Sequence, residues 1–273
     1  MTAALGGVFS LAALAYGVVC YYLYKQQAVL LYPGDGMAFG PFDELKALGG
    51  EAVVAELDGQ ALRYYKVPAQ GSSKAWVLLF HGNRDGARER LDFAQNMSSW
   101  GYSVILAELP GYAGDPVRAS QRSLLRNGLA MADETARLAQ GLPVFYFGES
   151  LGTAIATYCA MRRDPRGLLL STPFTSMAAV AQARYPVLPI FALIQDKMPA
   201  ALWAPHVVCP VFIVHGTRDQ VVPTGLGRAE AKQFRSSVTY VSIDGPGHSD
   251  IRDRFPQQYW GGVQAFLSAC MKP

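Results

Sequence analysis

Hydrophobic and polar positions fall into two different patterns along the chain. From Thr2 to Tyr24 no charged residue occurs, most positions are apolar, and Tyr16, Tyr21, Tyr22 and Tyr24 crowd the far end before Lys25. At about 1.5 Å per residue a helix over 2–24 is about 35 Å long, enough for a hydrocarbon core of about 30 Å. Tyrosines at one end suit a membrane interface. No basic n-region precedes Leu5 and no small-x-small cleavage site follows, which argues against a secretory signal peptide. Buried core helices are usually shorter or interrupted by polar residues. The pattern therefore predicts an uncleaved transmembrane anchor over 2–24. Lys25 and Lys46 follow it and no Lys or Arg precedes it, so charge bias leans the remainder of the chain towards the cytoplasm.

A connecting arm is expected over 25–50, with turn signals at Pro33-Gly34-Asp35-Gly36 and Gly49-Gly50. Glu51–Leu57 and Leu62–Val67 read as strands joined by Asp58-Gly59, a hairpin signal. Thereafter come short continuous apolar runs, Trp76–Phe80, Val104–Ala107, Val144–Phe147, Leu168–Leu170, Val211–Val214 and Val238–Ile243. Runs of that kind mark strands buried on both faces. Helical stretches separate them, among them Ser123–Gln140, Leu151–Arg162, Gly225–Phe234 and Pro256–Met271. Alternation of this kind predicts an α/β fold: a mostly parallel twisted sheet, helices on both faces and right-handed crossovers, in a single domain over 51–273.

Composition sharpens this picture. The chain has 273 residues, 51% hydrophobic and 16% charged, with a formal net charge of +3. That balance excludes a disordered chain, and with no Lys/Arg cluster it argues against a nucleic-acid binder. Cys20, Cys159, Cys209 and Cys270 are scattered without a CxxC pair, so neither a zinc site nor a disulfide framework is expected.

Candidate chemistry centres on Gly148-Glu149-Ser150-Leu151-Gly152, a G-x-S-x-G pattern between the strand Val144–Phe147 and the helical run from Leu151. Strand, serine, helix is the order a nucleophile elbow requires, and a turn that tight leaves no room for side chains at 148 and 152. The serine oxygen then stands clear of the sheet at a helix N-terminus, where backbone N–H groups favour developing negative charge.

With these residues in hand, the sequence resembles the α/β-hydrolase superfamily from about Gln26 to the C-terminus. Within it the chain is most like small membrane-anchored serine hydrolases, including esterases, acylglycerol lipases and protein depalmitoylases. The shared features are the N-terminal apolar segment, Ala28-Val29-Leu30-Leu31-Tyr32-Pro33, His81-Gly82-Asn83, the elbow, His215-Gly216-Thr217-Arg218-Asp219-Gln220-Val221-Val222-Pro223 and Gly245-Pro246-Gly247-His248. The resemblance implies Ser150 as nucleophile, Asp219 as acid and His248 as base, and an oxyanion hole formed by the backbone N–H groups of Asn83 and Leu151. His206 reads as a surface residue and His215 as a structural hydrogen-bonding one. Asp244 and Asp250 are nearer His248 in sequence but neither closes a strand, and Asp196 lies in a different region. Glu149 and Arg84 read as structural or solvent-facing, and Pro110–Gly114 as a pocket-side loop without a catalytic role.

The interval of about 174–206 is where the superfamily carries its cap. Here it is apolar and broken by prolines, readable either as packing on the sheet or as a rim for an acyl chain. The expected function is hydrolysis of a lipophilic carboxylic ester or thioester through an acyl-enzyme, with no metal or organic cofactor. The competing readings are a non-catalytic membrane-anchored binding protein and a serine peptidase.

Overall fold

The computed structural model describes residues 2–34, 37–57 and 59–272, with the side chains of 2–9 left out of that description. Among the described residues eight strands form one sheet: β1 (Glu51–Leu57), β2 (Gln60–Val67), β3 (Ala75–Phe80), β4 (Tyr102–Ala107), β5 (Val144–Glu149), β6 (Gly167–Ser171), β7 (Val211–Gly216) and β8 (Val238–Ile243). Their order is β1-β2-β4-β3-β5-β6-β7-β8. β1 and β2 form an antiparallel hairpin, β2 joins β4 antiparallel, and every pairing from β4 through β3 to β8 is parallel. Gly59 takes φ +70° at the hairpin turn. Asp58 of that turn and Asp35-Gly36 of the expected arm turn lie outside the described residues.

The continuous apolar runs are explained by burial on both faces. Leu78, Phe80, Ile105, Leu168 and Leu170 point to one layer, whereas Val77, Leu79, Val104, Phe147 and Leu169 point to the other. Side chains alternate across a strand, so two covered faces demand apolar residues at every position.

The helices are α1 (Thr2–Leu31), α2 (Asp43–Ala47), α3 (Leu91–Ser99), α4 (Gln121–Ala139), α5 (Leu151–Arg163), α6 (Met177–Arg184), α7 (Ile190–Leu193), α8 (Ala200–Trp203), α9 (Thr224–Ala231), α10 (Ile251–Arg254) and α11 (Pro256–Cys270). Leu124 of α4 and Ile155 of α5 pack in the first layer, Phe93 of α3 and Val263 of α11 in the second. Local chemistry sets several starts. Ser120 accepts from the Ser123 N–H at 3.1 Å ahead of α4, and Ser176 from the Ala179 N–H at 3.0 Å ahead of α6.

The N-terminal expectation needs correction. Residues 2–24 are helical, but among the described residues no helix is long and apolar enough to cross a membrane. α1 runs on past Tyr24 through Lys25, Gln26 and Gln27 to Leu31. It is also bonded to the body of the protein. Tyr16 Oη donates to the Val187 carbonyl at 2.8 Å, Gln27 Nε2 to the Leu193 carbonyl at 3.3 Å, and Gln27 Oε1 accepts from the Gln195 N–H at 2.7 Å. The segment 174–206 folds as α6, α7 and α8. Within it Ile190, Ile194 and Met198 are buried, while Val187 and Phe191 are exposed.

Candidate active site

The carboxyl ends of the parallel strands converge on one cleft, the usual position for a site in an open α/β sheet. Ser150 occupies the turn between β5 and α5 with φ +49° and ψ −115°. A non-glycine residue held there costs about 1–3 kcal/mol, which the surrounding packing must sustain. Its neighbours leave no alternative. A Cβ at Gly148 would lie 2.4 Å from the Gly152 carbonyl oxygen, and one at Gly152 would lie 2.0 Å from the Phe80 carbonyl oxygen. The elbow is thus wedged against the end of β3. The Ser150 N–H donates to the Ser171 carbonyl at 3.0 Å, and its own carbonyl accepts the Thr153 N–H at 2.9 Å, beginning α5.

Ser150, His248 and Asp219, far apart in sequence, meet here. Ser150 Oγ lies 3.0 Å from His248 Nε2, and His248 Nδ1 lies 2.8 Å from Asp219 Oδ2. Asp219 follows β7 and His248 follows β8. The other carboxylate oxygen, Asp219 Oδ1, accepts the backbone N–H groups of Val221 and Val222 at 2.9 and 2.8 Å. His215 Nε2 lies 3.0 Å from the Val222 carbonyl and 3.3 Å from Asp219 Oδ2. A carbonyl only accepts, so Nε2 carries the proton and faces both oxygens. Burial alone would raise the Asp219 carboxyl. The hydrogen bonds from His215 and His248, the attraction of His248 and the Val222 N–H outweigh it and hold the group well below the usual carboxylate range.

The alternative acids are engaged elsewhere. Asp244 accepts from Thr217 at 2.8 Å, Asp250 from the Gly247 N–H at 2.6 Å, and Asp196 from Tyr32 at 3.0 Å. His206 is exposed, as its sequence setting suggests.

Asn83 and Leu151 flank the serine from two sides. Leu151 opens α5, where first-turn N–H groups have no intrahelical acceptor. A Cβ at Gly82 would sit 3.5 Å from the Ser150 Cβ, so the loop after β3 runs alongside the nucleophile position. His81 anchors this loop from below, fully buried, with Nε2 3.0 Å from Glu108 Oε1. Tyr112, in the loop Pro110–Gly114, donates to the Asn83 carbonyl at 2.9 Å. Neither Tyr112 nor Glu108 stands out in the sequence, and Tyr112 Oη reaches Asn83 across 29 positions.

Gly82, Asn83, Ser150, Thr172, His248 and Arg252 are among the residues lining a cavity of about 300 Å³ whose walls mix polar and apolar groups. A separate apolar groove runs between α1 and the cap, lined by Leu23, Leu30, Leu31, Ala181, Ile190 and Ile194 among others. Glu149, expected to be structural or solvent-facing, is largely shielded and paired with arginines, whereas Arg84 is exposed.

A mostly parallel sheet with a serine at its strand-to-helix elbow defines a hydrolase of the α/β class. Residues 71–202 match the family described as "Serine aminopeptidase, S33". An uncharacterized protein of Mycobacterium tuberculosis is 32% identical over 250 residues, covering 90% of this chain and 89% of the relative. The chain belongs to the α/β-hydrolase superfamily and is a serine hydrolase by class. It is also similar to the lysophosphatidylserine lipase ABHD12 of Macaca fascicularis, 30% identical over 223 residues, which cover 70% of this chain and 54% of that protein. Two solved structures share the fold. A bacterial membrane phospholipase A superposes with TM-score 0.66 at 19% identity over 100% of both chains. Est1E from Butyrivibrio proteoclasticus superposes with TM-score 0.64 at 20% identity, covering 81% of this chain and 98% of its own.

Proposed function

We propose that this chain cleaves a carboxylic ester or thioester of a lipophilic acyl group through an acyl-enzyme on Ser150. The observation that carries the reading is the continuous line from Ser150 Oγ to His248 at 3.0 Å and from His248 to Asp219 at 2.8 Å. His248 Nε2 takes the hydroxyl proton as Oγ bonds to the carbonyl carbon. The carbonyl oxygen becomes an oxyanion, met by the N–H groups of Asn83 and Leu151. Collapse breaks the bond to the leaving alcohol or thiol, which departs with the proton held by His248. A water molecule then gives a proton to His248 and attacks the acyl carbon. The second collapse releases the acid and returns the proton to Ser150. Asp219 holds His248 in the tautomer that presents a bare Nε2 to the serine and stabilises the imidazolium.

The partly polar space at Ser150 suits a hydrophilic leaving group, and the apolar groove between α1 and the cap suits a hydrocarbon chain. Relatives named as a lysophosphatidylserine lipase and a membrane phospholipase A support such an ester. The same reading retains an N-terminal segment, which α1 carries past 24 to Leu31, a connecting arm from there to 50 and a catalytic domain over 51–273, with membrane contact through α1. Leu11, Leu14, Val18 and Val19 of α1 are exposed, as are the cap residues Val187 and Phe191.

Labelling with a fluorophosphonate tests the nucleophile. Wild type is expected to label and Ser150→Ala is not; equal labelling of the two overturns the assignment. A graded series of p-nitrophenyl esters with matching thioesters tests the acyl group. Preference for aminoacyl anilides over every ester would replace this reading with a peptidase. Flotation of the full chain with phosphatidylcholine vesicles tests membrane contact, and failure to float removes it.

A further inference from the structure

Glu149 closes β5 one residue before Ser150, and its carboxylate is shared by two arginines remote in sequence. Oε2 accepts from Arg90 Nε, and Oε1 accepts from Arg252 Nη1 at 3.0 Å. Arg90 ends the short helical turn Ala87–Arg90 downstream of the Asn83 loop, and Arg252 lies in α10, four residues past His248. Arg252 Nε sits 3.0 Å from Asp92 Oδ2 in the first turn of α3. The side chains of Arg90, Glu149 and Arg252 are 12%, 15% and 16% exposed, and all three line the Ser150 cavity. Burial alone would raise the Glu149 carboxyl; Arg90 and Arg252 outweigh it and hold the group below the usual range, so it is ionised at neutral pH.

The placement points to geometry as its role. A shielded ion pair is an inefficient source of stability, because desolvation offsets much of the attraction. The segment carrying His248 is a loop, with Gly245 at φ +107°. On its Asp219 side the loop is fastened by the Gly245 N–H on Thr217 Oγ1 at 3.1 Å and the Arg218 N–H on the Pro246 carbonyl at 3.1 Å. On its Ser150 side it meets the elbow through His248 on Ser150 and Arg252 on Glu149. We infer that Glu149 is a positioning residue that, through Arg252, holds the His248 segment in register with Ser150. Its second bond, to Arg90, keeps the carboxylate from following the loop when the loop moves. The inference rests on the proposed roles of Ser150 and His248.

The test compares wild type with Glu149→Gln, Arg252→Met and the double variant. The readouts are melting temperature, kcat and KM on a p-nitrophenyl ester, and the rate of fluorophosphonate labelling. Two single variants are used because an unpaired shielded charge can prevent one of them from folding. A displacement near 1 Å between reacting groups costs about 100-fold in rate. Each folded single variant is therefore expected to lose about 10- to 100-fold in kcat and labelling rate, with KM changed less than about threefold. The double variant is expected to be no slower than the slower single, since both changes break one coupling. Wild-type labelling rates in a folded variant with a lowered melting temperature overturn the inference and leave a purely structural cluster. Multiplicative losses in the double variant overturn the route through Arg252. Failure of the wild type to label overturns the Ser150 reading itself, a different and recognisable failure.

Discussion

Asn83 donates its side-chain amide to the backbone carbonyl of Leu31 at 3.3 Å, joining the loop beside Ser150 to the last residue of α1. The last carbonyls of a helix have no intrahelical donor, so this bond satisfies one of them while fixing the loop. Tyr112 holds the same residue through its backbone carbonyl at 2.9 Å. Asn83 is thereby restrained through both its side chain and its backbone carbonyl.

The first prediction follows from that pair of bonds. Asn83→Ala keeps the backbone N–H and removes the tie to Leu31. Removing an oxyanion donor outright costs about 10²- to 10³-fold in turnover. Loosening the proposed donor, which this variant keeps, is expected to cost less, about 10-fold in labelling rate and kcat. Stopped-flow acylation measures it, and an unchanged rate would mean that Tyr112 alone suffices to hold the loop.

Glycines in the elbow supply the second prediction. Gly152→Ala drives a methyl group to 2.0 Å from a backbone oxygen of β3, where no flexible side chain can give way. Overpacking of a rigid contact costs about 1–3 kcal/mol and often more, so poor soluble yield and a sharply lowered melting temperature are expected. Gly225→Ala is the control, because nothing lies within 4 Å of its Cβ position. It is expected to be neutral or stabilising by about 0.5–1 kcal/mol through helix propensity. Comparable losses in both variants would contradict the wedge.

Much of this was legible before the structure, for physical reasons that differ by region. The buried strands stand out because both faces of the sheet are covered, so β3 and Val211–Val214 of β7 read as continuous apolar runs. The elbow stands out because its backbone geometry demands glycine at fixed spacing. Glu149 does not stand out, because its meaning lies in Arg90 and Arg252, which are 59 and 103 positions away. α3 is easily passed over, since Leu91–Ser99 mixes polar and apolar residues and buries only one side, through Phe93, Ala94 and Met97. α1 is the least legible element. An uncharged apolar run suggests a span, but whether such a helix leaves the protein depends on partners such as Val187 and Leu193, 171 and 166 positions distant.

A third prediction concerns pH. The Asp219 carboxyl is held well below its ordinary value of about 3.9. A carboxyl depressed in the folded state contributes stability that is fully present above its unfolded pKa. That contribution is lost as pH falls through the folded one. The stability gap between wild type and Asp219→Asn is therefore expected to be constant from pH 8 down to about 4 and to shrink below it. Urea titrations across that range measure it, and a gap that closes near pH 6 would show that Asp219 is not held ionised. Over the constant range, Asp219→Asn is expected to lower turnover by about 10⁴-fold, the cost of losing the correct histidine tautomer in a comparable triad.

The last prediction concerns Glu230, a carboxyl with the opposite shift. It lies on α9, fully buried, and the Phe174 backbone and the Thr157 hydroxyl offset only part of the cost of burying its carboxyl. Burial pushes the carboxyl well above the usual range, because a charged form there would lack both water and a counter-ion. The sign is the reverse of the Asp219 case. Above pH about 4.3 the unfolded chain releases this proton while the folded chain retains it, so the group increasingly favours unfolding as pH rises. Glu230→Met fills a similar volume without a polar group to desolvate. At pH 8 it is expected to stabilise the protein by about 1 kcal/mol or more, which for a chain of this size is about 2–4 °C in melting temperature. At pH 4, where the carboxyl is largely neutral in both states, most of that gain should vanish. Thermal unfolding of the two proteins at pH 4, 6 and 8 separates the possibilities. A gain of equal size at every pH would reflect packing alone, and a loss at pH 8 would mean that Glu230 is ionised and paired in the folded protein.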